Sequence, residues 1–161
     1  MTEELKETNQ GQDQEQGQFA LMRIYLKDAS FEVPGAPKVF LNPWNPEITI
    51  QLGTETNALD EDNYEVVLSL TVSANNQGSV AFLIEIKQAG IFLVKSFPEP
   101  QKTGLLGSYC PSVLFPYARE AISDLVGKGS FPQLLLAPIN FDSLLAQKQM
   151  ELSKQQNTSL Q

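Results

Sequence analysis

The sequence predicts an α+β fold: a four-stranded antiparallel sheet followed by two helices packed on one of its faces, in an oligomeric assembly. Three observations carry this reading. Segments in the first half alternate apolar and polar residues with the period of two that marks a strand, and short turns join them. Apolar residues in the second half recur instead at helical spacing. Consecutive strands joined by short turns pair antiparallel with one face buried, and helices that follow such a sheet cover that face. Finally, Ile84, Ile86, Leu114, Ala118, Ile122 and Leu125 add more apolar surface than one small core readily absorbs. They are therefore expected in subunit interfaces formed by the fourth strand and the long helix of 111–126.

Residues 1–18 hold only Met1 and Leu5 as large apolar groups, and such a segment cannot bury enough to fold. SKQQNTSLQ over 153–161 reads the same way, which leaves 19–152 as a single domain. The first strand lies within Phe19–Val33, with Asp28, Ser30 and Glu32 on one face and Ala29, Phe31 and Val33 on the other. Phe40–Pro46 is a loop because of Pro43 and Pro46, yet it holds the only tryptophan, Trp44. Glu47–Leu52 is the second strand, with Ile48, Ile50 and Leu52 opposite Glu47, Thr49 and Gln51. Tyr64–Ala74 is the third, Asn75–Gly78 a hairpin turn and Val80–Val94 the fourth. There Phe82, Ile84 and Ile86 oppose Leu83, Glu85 and Lys87. After Pro111 a helix is marked by Leu114, Phe115, Ala118, Ala121, Ile122, Leu125 and Val126, and Gly127 and Gly129 end it. A loop over Gly129–Pro138 leads to a last helix capped near Asn140 or Asp142, with the stripe Phe141, Leu144, Leu145 and Leu152.

Composition removes several function classes. Nineteen acidic against 11 basic residues give a net charge of −8, which argues against nucleic acid or an anionic membrane as the main partner. The polar, acidic N-terminus does not read as a secretory signal, and no apolar run is long enough to cross a membrane. There is no histidine, the commonest general base and metal ligand. Cys110 is alone, so no internal disulfide forms, and without histidine to activate it a small buried residue is the better reading than a nucleophile. Asp60, Glu61 and Asp62 lack the alternating spacing of a calcium loop and read as a solvated turn. The glycines do not form a phosphate loop. What remains is apolar: the run Phe131–Pro138, stiffened by Pro132 and Pro138, and the Trp44 loop. Core packing explains part of this, but two such loops exceed what a core needs. Asp28, Glu32 and Glu85 lie on the wet sheet face, where Leu83 is the apolar exception, an arrangement found at protein–protein contacts.

The segments Tyr25–Glu32, Tyr64–Leu68, Ala81–Glu85, Gly90–Phe92, Tyr109–Pro111, Leu114–Glu120, Phe131–Leu134 and Asn140–Asp142 resemble, in order and spacing, the bacterial protein-export chaperone family SecB. The resemblance covers essentially all of 19–152. It implies a cytoplasmic, ATP-independent holdase without catalytic residues or cofactor, assembled as a homotetramer (a dimer of dimers). Such a protein binds unfolded secretory precursors and delivers them to the export motor SecA, with neither nucleic acid nor direct membrane insertion involved. The positions that match the family's motor-binding face are Asp28, Glu32, Leu83 and Glu85. Those that match its client groove are Phe40, Trp44, Ile48, Ile50, Leu144 and Leu145, with Pro43 before Trp44 as a local departure. The alternative is a non-catalytic adaptor whose acidic sheet face binds a partner without client binding; a small-ligand enzyme would need a reactive polar group that the sequence does not offer.

Overall fold

The computed structural model describes residues 15–160. Four long strands, β1 (Gln18–Glu32), β2 (Pro46–Ala58), β3 (Asn63–Asn76) and β4 (Ser79–Lys95), form one antiparallel sheet in the order β1-β4-β3-β2. Gln77 and Gly78 both have positive φ between β3 and β4, the geometry of a tight hairpin whose twist matches its strands. The β2–β3 turn is built by Asp60, whose carboxylate accepts from the backbone N–H of Asp62 and Asn63 and from the Asn63 amide. Those hydrogen bonds hold its pKa below the ordinary value. β2 runs six residues beyond its expected end at Leu52. Past that point it carries Gly53, Thr54, Glu55, Thr56 and Asn57, which as an edge strand it can expose.

The helical half begins earlier than expected. α1 (Glu99–Gly104) leads through a π-helical turn, Leu105–Tyr109, into α2 (Cys110–Lys128). Pro100 sits in the first turn, where a missing N–H costs nothing. In the widened turn the Cys110 N–H reaches the Leu105 carbonyl five residues back, and the backbone passes Pro111, which has no N–H to give. α2 lies across β4 and β3 and buries Leu114, Phe115, Ala118, Ile122 and Val126 against Tyr64, Val66, Leu68, Leu70 and Val72 of β3 and Phe82, Ile84, Ile86 and Phe92 of β4. Each of these large side chains contributes roughly 1.5–3 kcal/mol by leaving water. α3 (Phe141–Thr158) is capped by Asn140, whose side chain accepts from the Ser143 N–H at 3.0 Å.

Two expectations change. Ile84, Ile86, Leu114, Ala118 and Ile122 are 0–1% exposed within the single chain, so they are the protomer's own core and not surface left over for an interface. Of the six residues expected at interfaces, only Leu125 keeps part of its surface. The segment 153–158, read as tail, continues α3, and every residue from 146 to 160 is exposed. Its helix holds by backbone bonding without core contact, which is why its polar sequence gave no helical stripe. Of the segment 1–18, residues 1–14 lie outside the described residues, and Gln18 already belongs to β1.

Candidate functional site

The loop after β1 delivers two aromatic rings to the helix side of the sheet. Trp44 stacks on Phe82 at 6.4 Å and lies 5.3 Å from Phe131; Phe40 is also 5.3 Å from Phe131, and Phe82 and Phe131 are 5.0 Å apart. Buried Asn76 holds the loop on both sides of the indole: its amide N–H donates to the Pro43 carbonyl, and its oxygen accepts from the Asn45 N–H, each at 3.0 Å. Trp44 is half-buried and Phe40 is 49% exposed, so the cluster closes the core from below and offers rings to solvent above.

From this cluster Ile48, Ile50 and Leu52 continue along the helix side of β2, opposite Ala74, Val72 and Leu70 of β3. They lead to a cleft of about 510 Å3 between β2 and α3, lined by Leu52, Thr54, Thr56, Gly107, Phe141, Leu144, Leu145 and Lys148. Its shape is set by how α3 is seated. The Ser108 hydroxyl donates to Asp142 in a short hydrogen bond, and Phe141 meets Phe115 edge-on at 6.0 Å. Gly107 makes the seat possible: a Cβ there would lie 2.9 Å from a Leu145 methyl, inside van der Waals contact. A second cleft of about 640 Å3 opens on the other side of Phe141, lined by Phe97, Leu105, Tyr109 and Ile139 among others.

All six expected groove residues therefore lie along one apolar path, in two groups joined by β2. Phe40 and Trp44 mark one end, Leu144 and Leu145 the other, with Ile48 half-buried and Ile50 exposed between them. Sequence reasoning missed Gly107, Phe82 and Asn76. Helix breakers obscured the first, and the other two act through contacts far apart in sequence. The Phe131–Pro138 run divides: Phe131 and Leu136 are core, while Leu135 is 68% exposed.

Among the described residues no helix covers the opposite face of the sheet. Along β1 and β4, Glu32 faces Leu83, Ser30 faces Glu85 and Asp28 faces Lys87, so the three acids and Leu83 share one open surface, with a cation at its margin. Asp28, Glu32 and Glu85 are exposed and Leu83 is partly buried. Beside them lies a polar network drawn from three strands. Glu65 of β3 accepts from the Tyr25 hydroxyl and the Lys27 ammonium of β1 and from the Asn57 amide of β2. Buried Ala89 of β4 faces Tyr25 on one side and Val67 on the other, and its small side chain leaves room for the tyrosine to reach across. The Tyr25 and Lys27 donors hold the Glu65 carboxyl down to about 2, and burial with the Glu65 bond pushes the Tyr25 hydroxyl up to about 12. β1 carries register shifts on either side of this point, between Leu21 and Arg23 and between Leu26 and Asp28.

Cys110 is fully buried, and burial pushes its thiol up to about 12, where it is no nucleophile. Among the described residues no group of three or more His, Cys, Asp or Glu is placed to hold a metal ion, and no helix is long and apolar enough to cross a membrane. What the surface offers is an apolar path on one face and an acidic patch on the other.

The chain is similar to known proteins in sequence and in fold. The sequence profile described as "Preprotein translocase subunit SecB" matches residues 12–152. A protein-export protein SecB from Psychrobacter arcticus is 56% identical over 91% of this chain and 98% of its own length. That of Psychrobacter cryohalolentis is 57% identical over 87% of this chain and 93% of its own. In three dimensions the chain is similar to a SecB-like chaperone from Mycobacterium tuberculosis, solved in complex with a ChAD peptide from an antitoxin. The TM-score is 0.63 at 21% identity, over 75% of this chain and 90% of that one. The sheet order, the helices that follow it and the near-complete match over 12–152 together place the chain in one family: it belongs to the SecB preprotein translocase subunits.

Proposed function

We propose that this chain is an ATP-independent holdase of protein export, which binds unfolded secretory precursors in the cytoplasm and hands them to the export motor SecA. The observation that carries the reading is the continuous apolar path from Trp44 along Ile48, Ile50 and Leu52 to Leu144 and Leu145, open to solvent. An unfolded chain exposes extended apolar segments. Each buried client side chain contributes roughly 1.5–3 kcal/mol before ordering costs, so one path binds weakly and without strict sequence choice. Several paths on one assembly bind together through effective concentration and hold a long client. Release needs no nucleotide when the motor accepts the chain. Membership of the SecB family supports this reading, as does a SecB-like neighbour that was solved with a peptide.

Asp28, Glu32 and Glu85, with Leu83 as apolar anchor, form the proposed motor contact. A basic segment of the motor suits such a patch, and the contact weakens with salt. The proposed assembly is a homotetramer, a dimer of dimers. Since Ile84, Ile86, Leu114, Ala118 and Ile122 are already buried, its interfaces draw on what the π-helical turn, α2 and β1 leave exposed, including Tyr109, Tyr117, Leu21, Met22 and Leu26. Native mass spectrometry with a denatured precursor and then with SecA tests the proposal. A tetramer that takes up first one and then the other supports it, and a monomer that takes up neither overturns it.

A further inference from the structure

A single extra residue in β4 lies under the aromatic end of the apolar path. β3 and β4 pair without a shift from Asn63 with Leu93 to Ala74 with Phe82, and then Asn75 pairs with Val80, so Ala81 has no partner. Such a β-bulge bends its strand and strengthens the local twist. Strand neighbours ordinarily point to opposite faces, yet Ala81 and Phe82 are both buried, at 0% and 1% exposure. Two features of the path depend on this point. Phe82 is the ring on which three segments meet: Phe31 of β1 at 6.2 Å, Trp44 of the loop after β1 at 6.4 Å and Phe131 of the loop after α2 at 5.0 Å. Past the bulge, Ser79 pairs with Asn76, the residue whose amide holds the loop on both sides of Trp44.

We infer that Ala81 is a positioning residue for client binding: its bulge sets the angle between Phe82, the floor under Trp44, and Asn76, the clamp beside it, and so holds the indole ready for a client. The inference rests on the holdase reading above and adds what shapes one end of the path. Ala81 acts through its neighbours, since it is fully buried and touches no client itself. Its small side chain suits a place where two successive residues share the packed side of the strand. Because the bulged residue is an extra one, a chain without it keeps Phe82 opposite Ala74 and Val80 opposite Asn75, each on its present face. The deletion therefore removes the bend and leaves the strand's two faces as they are.

The test compares the full-length protein with a chain lacking Ala81 and with Ala81→Gly, each titrated by calorimetry with an unfolded apolar precursor peptide. Native mass and circular dichroism confirm that each chain is folded. The deletion is expected to weaken binding at least about tenfold, and Ala81→Gly, which keeps the bulge, to bind within about twofold of the unchanged protein. Without peptide, the emission of Trp44 is expected to shift to the red in the deleted chain and to stay in place in Ala81→Gly. If the deleted chain does not fold, Ala81→Val replaces it: a larger side chain that presses on Phe82 is expected to give the same weakening and the same red shift. A folded deletion or Ala81→Val chain that binds less than about tenfold more weakly, or whose Trp44 emission does not shift, overturns the inference and leaves the holdase reading in place. So does an Ala81→Gly chain that binds as weakly as the deletion. Unchanged protein that does not bind the peptide overturns both.

Discussion

Replacing Glu65 by Gln keeps the shape of the open-face network and removes its charge. Glu65 is held at about 2 against an ordinary 4.5 by Tyr25, Lys27 and Asn57, with burial opposing. At about 1.4 kcal/mol for each tenfold change in acidity, that difference is worth about 3 kcal/mol. The Glu65 side chain is 12% exposed but Lys27 is 44% exposed, and water around the lysine screens part of the gain, leaving about 2 kcal/mol. The sign follows from the lowered carboxyl: its stabilisation is present above the ordinary value and is lost as pH falls toward 2. The Tyr25 hydroxyl, raised to about 12, is stabilising below its ordinary 10 and loses that contribution as pH rises through 12. The network is therefore at full strength from about pH 5 to about pH 9. Urea denaturation at matched protomer concentration should show Glu65→Gln less stable by about 2 kcal/mol at pH 7, with the gap under half of that by about pH 3. A gap below about 0.5 kcal/mol at pH 7, or one that does not change with pH, would refute the argument. Because Tyr25 and Lys27 share β1 with Asp28 and Glu32, the same variant should lose more affinity for the motor than for clients.

Trp44→Ala with Leu144→Ala should weaken binding of an unfolded precursor by about tenfold or more, since each end of the path loses an apolar contact; unchanged affinity in calorimetry would put the groove elsewhere. Asp28→Lys with Glu85→Lys should abolish SecA binding while client binding and native mass stay as they are, because both side chains lie on the face without helices; undiminished SecA affinity would leave these acids as a solvated sheet face. Asn76→Ala should cost about 1–3 kcal/mol and shift Trp44 fluorescence to the red, as both bonds that flank the indole disappear. An unshifted spectrum would mean that aromatic packing alone holds the loop.

β3 and β4 were legible because each has one core face and one open face, so their residues alternate, and β1 was legible from Asp28 to Glu32, past its register shifts. β2 was read at half its length, since an edge strand beside a cleft needs no strict alternation past Gly53. The helix was read as beginning after Pro111, yet Pro100 sits in a first turn and Gly104 just before a π turn, so the helical stretch starts at Glu99. The face carrying Asp28, Glu32, Leu83 and Glu85 followed from strand parity, whereas Trp44 was assigned to a groove only through the family resemblance. Periodicity could not separate a protomer core from an interface, because both ask for the same side chains; only packing shows that Ile84, Ile86, Leu114, Ala118 and Ile122 are already covered. Nor could it reveal Glu65 or Asn76, two polar residues of β3 whose partners lie eight to forty positions away in the chain.

The central claim is that the open apolar path keeps other chains from aggregating. Dilution of a denatured export precursor into buffer, followed by light scattering with and without this protein and with no nucleotide present, tests it most directly. The account predicts that scattering is suppressed at near-stoichiometric protein, and that the Trp44→Ala, Leu144→Ala variant restores it. Scattering that is the same with and without the protein would contradict the account.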